Sequence, residues 1–181
     1  VNRNRSERAQ NGVVAGSLRR TGLAMFVVAF IGVIALLTWL STDFLDRRNN
    51  PNRNAAGTVA DGSREITLKA NRFGHYIVPG LINDEEVIFY LDTGATTVSI
   101  PSALADRLGL ERGASIQAET AAGIVETFMT SLDSISLGPI VLQNVRATIN
   151  PHTSSEDVLL GMSFLRHLEL IQKDEELTLR L

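Results

Sequence analysis

The sequence predicts a mainly β, barrel-like domain with one or two short helices, preceded by one transmembrane helix. Three observations predict it. After Glu65 the chain is a succession of short segments rich in Val, Ile, Leu, Phe and Thr, punctuated by Gly, Asn and Asp, which is the pattern of strands and tight turns. Gly22 to Leu40 reads GLAMFVVAFIGVIALLTWL, without a charge. Between the two, Arg47 to Arg64 (RRNNPNRNAAGTVADGSR) holds hardly any large apolar residue.

At 1.5 Å rise per residue, about 20 apolar residues cross a hydrocarbon layer of roughly 30 Å. Residues 22–42 therefore read as an uncleaved transmembrane signal anchor. A buried soluble helix would show a polar face, and this segment has none. A cleaved signal peptide would have a shorter apolar run and a small-x-small site, which Leu40-Ser41-Thr42-Asp43-Phe44 does not offer. Arg3, Arg5, Arg8, Arg19 and Arg20 precede the segment against one acid, Glu7. The positive-inside rule then makes 1–21 a cytoplasmic basic tail. The expected location is the inner (cell) membrane, single-pass, with the main domain periplasmic or otherwise extracytoplasmic. Residues 43–64 read as a flexible linker, because so polar a stretch buries too little surface to offset its ordering entropy.

Residues 65–181 form the main domain. Glu65 to Ala70 alternates polar and apolar residues, as a half-buried strand does. His75–Ile82 and Glu86–Leu91 are strands on either side of an Asn83-Asp84-Glu85 turn. Pro101 to Gly109 is a short helix: Ser102 is placed to cap it, Leu104 and Leu108 share a face, and Gly109 can end it. Ser115–Thr120 and Ile124–Leu132 flank Ala121-Ala122-Gly123, a second hairpin. Ile135–Leu137 and Ile140–Leu142 flank Gly138-Pro139, and Val145–Ile149 is a further strand. Phe164–Leu168 is a helical piece. Glu169–Ile171 and Leu177–Leu181 close the chain around the acidic turn from Lys173 to Glu176.

Charge excludes one class of function. Residues 1–64 carry nine basic and four acidic side chains, and residues 65–181 carry eight and sixteen. A domain with a surplus of eight acids is a poor partner for nucleic acid, which needs clustered Lys and Arg. There is no cysteine, so thiolate metal sites and cysteine nucleophiles are excluded. His75, His152 and His167 are far apart in sequence and read as surface residues. No metal or cofactor is expected. Ser163 lies in Gly-Met-Ser-Phe-Leu, which lacks the second glycine of a serine nucleophile elbow. Asp133, Glu156 and Asp157 sit in turn contexts and read as solvated.

The segment that carries chemistry is Phe89-Tyr90-Leu91-Asp92-Thr93-Gly94-Ala95. An apolar strand delivers a carboxylate directly into a turn, where glycine allows a tight backbone path beside it. About 30 residues later comes the small-residue hairpin tip at Ala121-Ala122-Gly123. Then Asp157-Val158-Leu159-Leu160-Gly161 leads into Met162-Ser163-Phe164-Leu165.

These features, in this order, resemble the retropepsin-like aspartic proteases, and the run from Leu159 to Leu165 resembles most their bacterial membrane-anchored branch. The resemblance covers about Glu65 to Leu181. It implies a retropepsin-like acid-protease β-barrel and an aspartic endopeptidase acting on protein or peptide substrates. It makes Asp92 the catalytic carboxylate, with Thr93, Gly94 and Ala95 in the active-site loop. Thr93 matches a threonine that locks two such loops together. Ala121, Ala122, Gly123 and Ile124 match the flap over the substrate. Two stretches differ from retroviral members: the flap tip is less glycine-rich, and Gly161-Met162-Ser163 stands where those members often carry Gly-Arg-Asn. A non-catalytic, membrane-tethered peptide-binding or assembly module on the same fold is the alternative.

Peptide hydrolysis by carboxylates needs one acid and one base around a shared water. The chain holds a single Asp-Thr-Gly. A symmetric homodimer would supply the second carboxylate, with the site on its two-fold axis.

Overall fold

The computed structural model describes residues 25–40, 48–60, 62–120, 123–153 and 155–181. The chain divides into two units, Val1–Asp46 and Arg47–Leu181. In the first, residues 25–40 are helical (α1), and its large side chains, including Met25, Phe26, Phe30 and Trp39, are exposed. The full transmembrane helix expected over 22–42 is not supported: among the described residues no helix is long and apolar enough to cross a membrane. At 1.5 Å per residue the described part of α1 accounts for about 24 Å of the roughly 30 Å required. The remainder of the expected span, 22–24 and 41–42, lies outside the described residues, as does the tail 1–21.

The second unit is mainly β. Its strands, among the described residues, are β1 (Thr58–Ala60), β2 (Ser63–Lys69), β3 (Ile77–Ile82), β4 (Glu85–Leu91), β5 (Val98–Pro101), β6 (Ser115–Thr120), β7 (Gly123–Leu137), β8 (Ile140–Asn150), β9 (Val158–Leu160), β10 (Glu169–Lys173) and β11 (Glu176–Arg180). Two short helices, α2 (Ser102–Arg107) and α3 (Met162–Leu165), interrupt them.

Seven strands form one sheet in the order β3-β4-β9-β5-β8-β7-β6. Strand β7 also pairs back onto β3, at Leu81↔Ser136 and Ile82↔Ile135. That second pairing closes β3-β4-β9-β5-β8-β7 into a barrel and leaves β6 outside it, paired with β7. Closure removes the open edges of the central strands. The barrel interior is filled by Val78, Ile82, Phe89, Val98, Ile100, Leu132, Ile135, Ile149, Val158 and Leu160, all essentially buried. They alternate with outward residues, as in β4, where Val87 and Phe89 point in and Ile88 and Tyr90 do not.

The remaining strands form a four-stranded antiparallel sheet, β1-β2-β11-β10. Ile66 and Leu68 of β2 and Leu177 and Leu179 of β11 supply its buried face. On the other face Thr67 and Thr178, directly paired, join their hydroxyls at 2.9 Å. Arg180 of β11 bonds Glu65 of β2 on one side and Glu169 of β10 on the other.

Several local expectations are corrected. The β3–β4 turn is the two-residue Asn83-Asp84, both with positive φ (50° and 69°), the geometry that matches strand twist in a hairpin. Ser102 does not cap α2: Pro101 is the N-cap, no side chain caps it, and the Ser102 hydroxyl accepts from Arg112 Nη2 at 2.7 Å. Ile140–Leu142 and Val145–Ile149 are one strand, because Asn144 takes a left-handed φ of 54° without ending the ladder.

The largest correction concerns the linker. Of the expected 43–64, residues 48–60 are built into the domain. Asn52 is 3% exposed. Its Nδ2 donates to the Lys69 carbonyl (2.9 Å) and the Ile77 carbonyl (2.8 Å), and its Oδ1 accepts from Lys69 N (2.7 Å). One amide thus joins the end of β2 to the start of β3. Farther on, β1 pairs with β2 from Thr58↔Glu65 to Ala60↔Ser63. Composition misses this because a buried amide with all its bonds made substitutes for apolar burial. Asn52→Ala should lower unfolding free energy by about 1–3 kcal/mol, since buried backbone groups lose their partners. Urea denaturation of residues 47–181 measures it, and an unchanged midpoint would mean that the segment behaves as a free tether.

Candidate active site

The pleat of β4 sends Phe89 into the barrel and leaves Tyr90 and Asp92 with the opposite parity. Strand β9 runs parallel beside it, with Phe89↔Val158, Tyr90↔Leu159 and Leu91↔Leu160 in register. The ladder ends as Asp92 N donates to the Leu160 carbonyl at 3.2 Å. The chain then turns. Asp92 Oδ1 accepts from Gly94 N at 2.9 Å, and the Asp92 carbonyl accepts from Ala95 N at 3.2 Å. A Cβ on Gly94 would lie 3.1 Å from Asp92 Oδ1, so glycine leaves the approach of that carboxylate unobstructed.

The far side of the loop is clamped. The Ala95 carbonyl accepts from Met162 N at 2.8 Å. Gly161 packs so closely that a Cβ there would meet the Thr97 carbonyl and lie 2.7 Å from the Ala95 carbonyl oxygen. The buried Ser163 hydroxyl accepts from Val98 N at 2.9 Å and donates to the Arg146 carbonyl at 2.7 Å. Thr97 and Thr148 hydroxyls meet at 3.2 Å. Three strands and α3 therefore fix the backbone on both sides of Asp92. At the centre Asp92 itself is half-buried, and Thr93 and Gly94 are exposed.

The expected site residues fall in two places. Asp92, Thr93, Gly94 and Ala95 form the clamped loop. Gly123 and Ile124 start β7 in the β6–β7 hairpin, where Thr120↔Gly123 pairing leaves a two-residue tip. That tip, Ala121 and Ala122, lies outside the described residues. Gly123 has φ 111° and Ile124 is 70% exposed. Among the described residues no hydrogen bond joins this hairpin to the Asp92 loop. Asp133 and Glu156 are exposed, as expected, and Glu156 pairs with Arg107 at 3.7 Å. Among the described residues no group of three or more His, Cys, Asp or Glu side chains is placed to hold a metal ion.

Sequence reading did not single out the row beside the carboxylate. Directly paired residues share a sheet face, so Ile77, Tyr90 and Leu159 lie on the face that Asp92 continues. Burial, then the charge of Asp157, raises the Tyr90 phenol above its ordinary value, so it stays a neutral hydroxyl. The His75 ring lies 6.3 Å from Tyr90 and 6.4 Å from Phe73, centroid to centroid. The alternation of β4 was the available signal for Tyr90. The partner Leu159 becomes visible only with the β4–β9 register.

Comparison with known proteins agrees with this arrangement. The family model of the gag-polyprotein aspartyl protease matches residues 78–167, from β3 through α3. The chain belongs to the retropepsin-like aspartic protease family. An uncharacterized protein encoded in the cobV 5′ region of Sinorhizobium sp. is 31% identical over 134 residues, covering 72% of this chain and 58% of that protein. The chain thus spans somewhat over half the length of this curated relative. Among solved structures, a retropepsin-like aspartic protease from Rickettsia conorii superposes with a TM-score of 0.54 at 24% identity, over 65% of this chain and 90% of the other. That likeness is one of fold. EIAV protease complexed with the inhibitor HBY-793 is 29% identical, with a TM-score of 0.41, over 50% of this chain and 85% of the other.

Within this retropepsin-like fold, the tightest steric constraint on the Asp92 loop is at Gly161. Gly161→Ala should cost about 1–3 kcal/mol or more, because the added methyl meets backbone carbonyls that cannot move aside cheaply. Thermal unfolding measures the loss. Backbone amide shifts of Asp92 to Val98 should move with it, whereas a loop independent of β9 and α3 would keep its shifts.

Proposed function

We propose that this chain is an aspartic endopeptidase that acts on protein or peptide substrates as a homodimer, through the Asp92 carboxylates of two copies. The observation that carries the reading is the Asp92 loop: one half-buried carboxylate beside the exposed Gly94, on a backbone fixed by β9, α3 and β8. Membership of the retropepsin-like family supports it. Each chain supplies one Asp-Thr-Gly, and the reaction requires two carboxyl groups with different protonation. Two carboxylates about 3 Å apart share one proton, because both cannot ionise at that distance. The ionised one takes a proton from water as the water oxygen adds to the scissile carbonyl. The protonated one gives its proton to the carbonyl oxygen. Collapse of the tetrahedral intermediate breaks the C–N bond as the amine nitrogen is protonated.

In this reading Thr93, exposed in the single chain, forms a hydrogen bond with the second copy, and the β6–β7 hairpin carrying Ala121 to Ile124 covers the bound peptide. The uncharged run 22–42, of which α1 is the described part, anchors the chain in the inner (cell) membrane. The basic tail 1–21 remains cytoplasmic and the protease domain extracytoplasmic. Anchoring concentrates chains on one membrane face and so favours pairing.

Asp92→Asn should lower peptide cleavage by about 10²–10⁴-fold, the range for losing a general acid–base group, with the thermal unfolding midpoint unchanged. A peptide library digested by the wild-type and variant domains measures it. Cleavage by folded Asp92→Asn at the wild-type rate would overturn the assignment.

Thr93→Val should weaken dimerisation by about 1–3 kcal/mol, the cost of a buried partner left unsatisfied. Sedimentation equilibrium reads this directly, and an unaltered dimer constant would assign the hydroxyl another role.

A further inference from the structure

We propose that the cleft between β8 and α3 is a binding site for a phosphate group. The cleft has a volume of about 610 Å³. Gln143, Asn144 and Arg146 line it from β8, and Ser163, Arg166 and His167 from α3 and the residues after it. Among the described residues no carboxylate lines it.

That lining is unusual for this domain. Residues 65–181 carry sixteen acidic side chains against eight basic ones. Lys69, Arg107, Arg112 and Arg180 each have a carboxylate partner, and Arg72 lies over the Phe73 ring at 4.4 Å. Among the described residues, Arg146 and Arg166 have no carboxylate at ion-pair distance, yet they share one cleft. Both arginines line the same space, so an anion held there has two guanidinium groups to draw on. A single carboxylate would neutralise only one of them. A phosphate monoester carries about −1.5 to −2 charge at pH 7 and three strong acceptor oxygens. It can therefore accept from two guanidinium forks at once, with the His167 imidazole and the side-chain amides as further donors.

The cleft is held in shape before any ligand arrives. Ser163 is 5% exposed. Its hydroxyl donates to the carbonyl of Arg146 itself at 2.7 Å and accepts from Val98 N at 2.9 Å, so the strand bearing one arginine is fixed to the helix that leads to the other. Arg166 N donates to the Met162 carbonyl and His167 N to the Phe164 carbonyl, each at 3.2 Å. Only the side chains need to order on binding, which limits the entropy lost. The same Ser163 bond ends on Val98, on the strand that follows the Asp92 loop, but the phosphate site does not depend on the proposed hydrolysis.

Free phosphate and an anionic lipid headgroup share this chemistry, and the experiment separates them. The full-length chain is titrated with inorganic phosphate at low salt by calorimetry. One saturable site per chain is expected. Arg146→Ala and Arg166→Ala should each weaken it by about tenfold or more, the loss expected for a charge-assisted hydrogen bond. Arg107→Ala, which removes an exposed arginine that already has a carboxylate partner, should leave it unchanged. Arg146→Gln and Arg166→Gln, read beside far-UV circular dichroism, keep the test valid if an alanine variant fails to fold. In the second arm, flotation compares phosphatidylcholine vesicles with and without phosphatidic acid. Extra binding of the wild-type chain to phosphatidic acid that a variant carrying both Arg146→Ala and Arg166→Ala loses assigns the site to a lipid headgroup. Equal vesicle binding by the two proteins assigns it to soluble phosphate. Absence of saturable phosphate binding, or binding that the Arg146 and Arg166 variants leave intact, overturns the proposal.

Discussion

The three-residue strand β9 lies between β4 and β5, parallel to the first and antiparallel to the second, and the Asp92 loop depends on that insertion. Val158 and Leu160 fill the barrel interior beside Phe89 and Val98. The Leu160 carbonyl receives the amide of Asp92. The next residue, Gly161, places its backbone against the Thr97 and Ala95 carbonyls. Without β9, β4 and β5 would have no neighbour in common, and the loop between them would lose the partner that fixes its path. The pairing joins residues almost 70 positions apart in sequence, and contacts of such separation carry a loop-closure cost that local hairpins avoid.

Around that insertion a few polar contacts do what apolar packing cannot. Apolar side chains fill space without direction, whereas a hydroxyl or amide fixes one backbone group against another. Ser163 joins β5 to β8, Thr97 and Thr148 meet across the same seam, and Asn52 bridges β2 and β3. Ser163 and Asn52 are buried with their bonds made, which avoids the desolvation penalty of an unpaired polar group. Their positions complement the barrel: the interior sets which strands are neighbours, and these groups set how the backbone leaves those strands.

Alternation made most strands legible in the sequence, because β4, β7 and β11 each present one face to a core and one to solvent or a second layer. Asn83-Asp84 and Gly138 were legible for a different reason, since few residues tolerate their left-handed backbone. The Asp92 loop was legible as a motif, but its clamp was not. Gly161, Ser163 and Thr148 acquire their roles through the β9 and β8 pairings, and a one-dimensional pattern carries no register between distant strands. The segment from Asn52 to Ala60 was misread for a related reason. Its composition is that of a tether, yet the Asn52 amide makes three hydrogen bonds to residues 17 and 25 positions away, and β1 pairs with β2. The site face of Tyr90 and Leu159 lies between these cases, half legible from parity and completed by the β4–β9 register.

The clamp also bears on what a second copy would have to contribute. Within the single chain, residues 92 to 98 are held from β9 through Leu160, from α3 through Met162 and Ser163, and from β8 through Thr148. Thr93, Gly94 and Thr96 are the exposed residues between these anchors, and they are the surface one loop can present to another. If the loop is half of the proposed two-chain site, it would need alignment from a second copy and not folding. Association then carries mainly the cost of lost translation and rotation, with little added for ordering a loop. A site assembled from two floppy loops would face both costs at once, and small errors in each half would add to misplace the paired carboxylates. For the proposed homodimer, a loop fixed within each chain would therefore favour the close carboxyl spacing that acid–base hydrolysis requires.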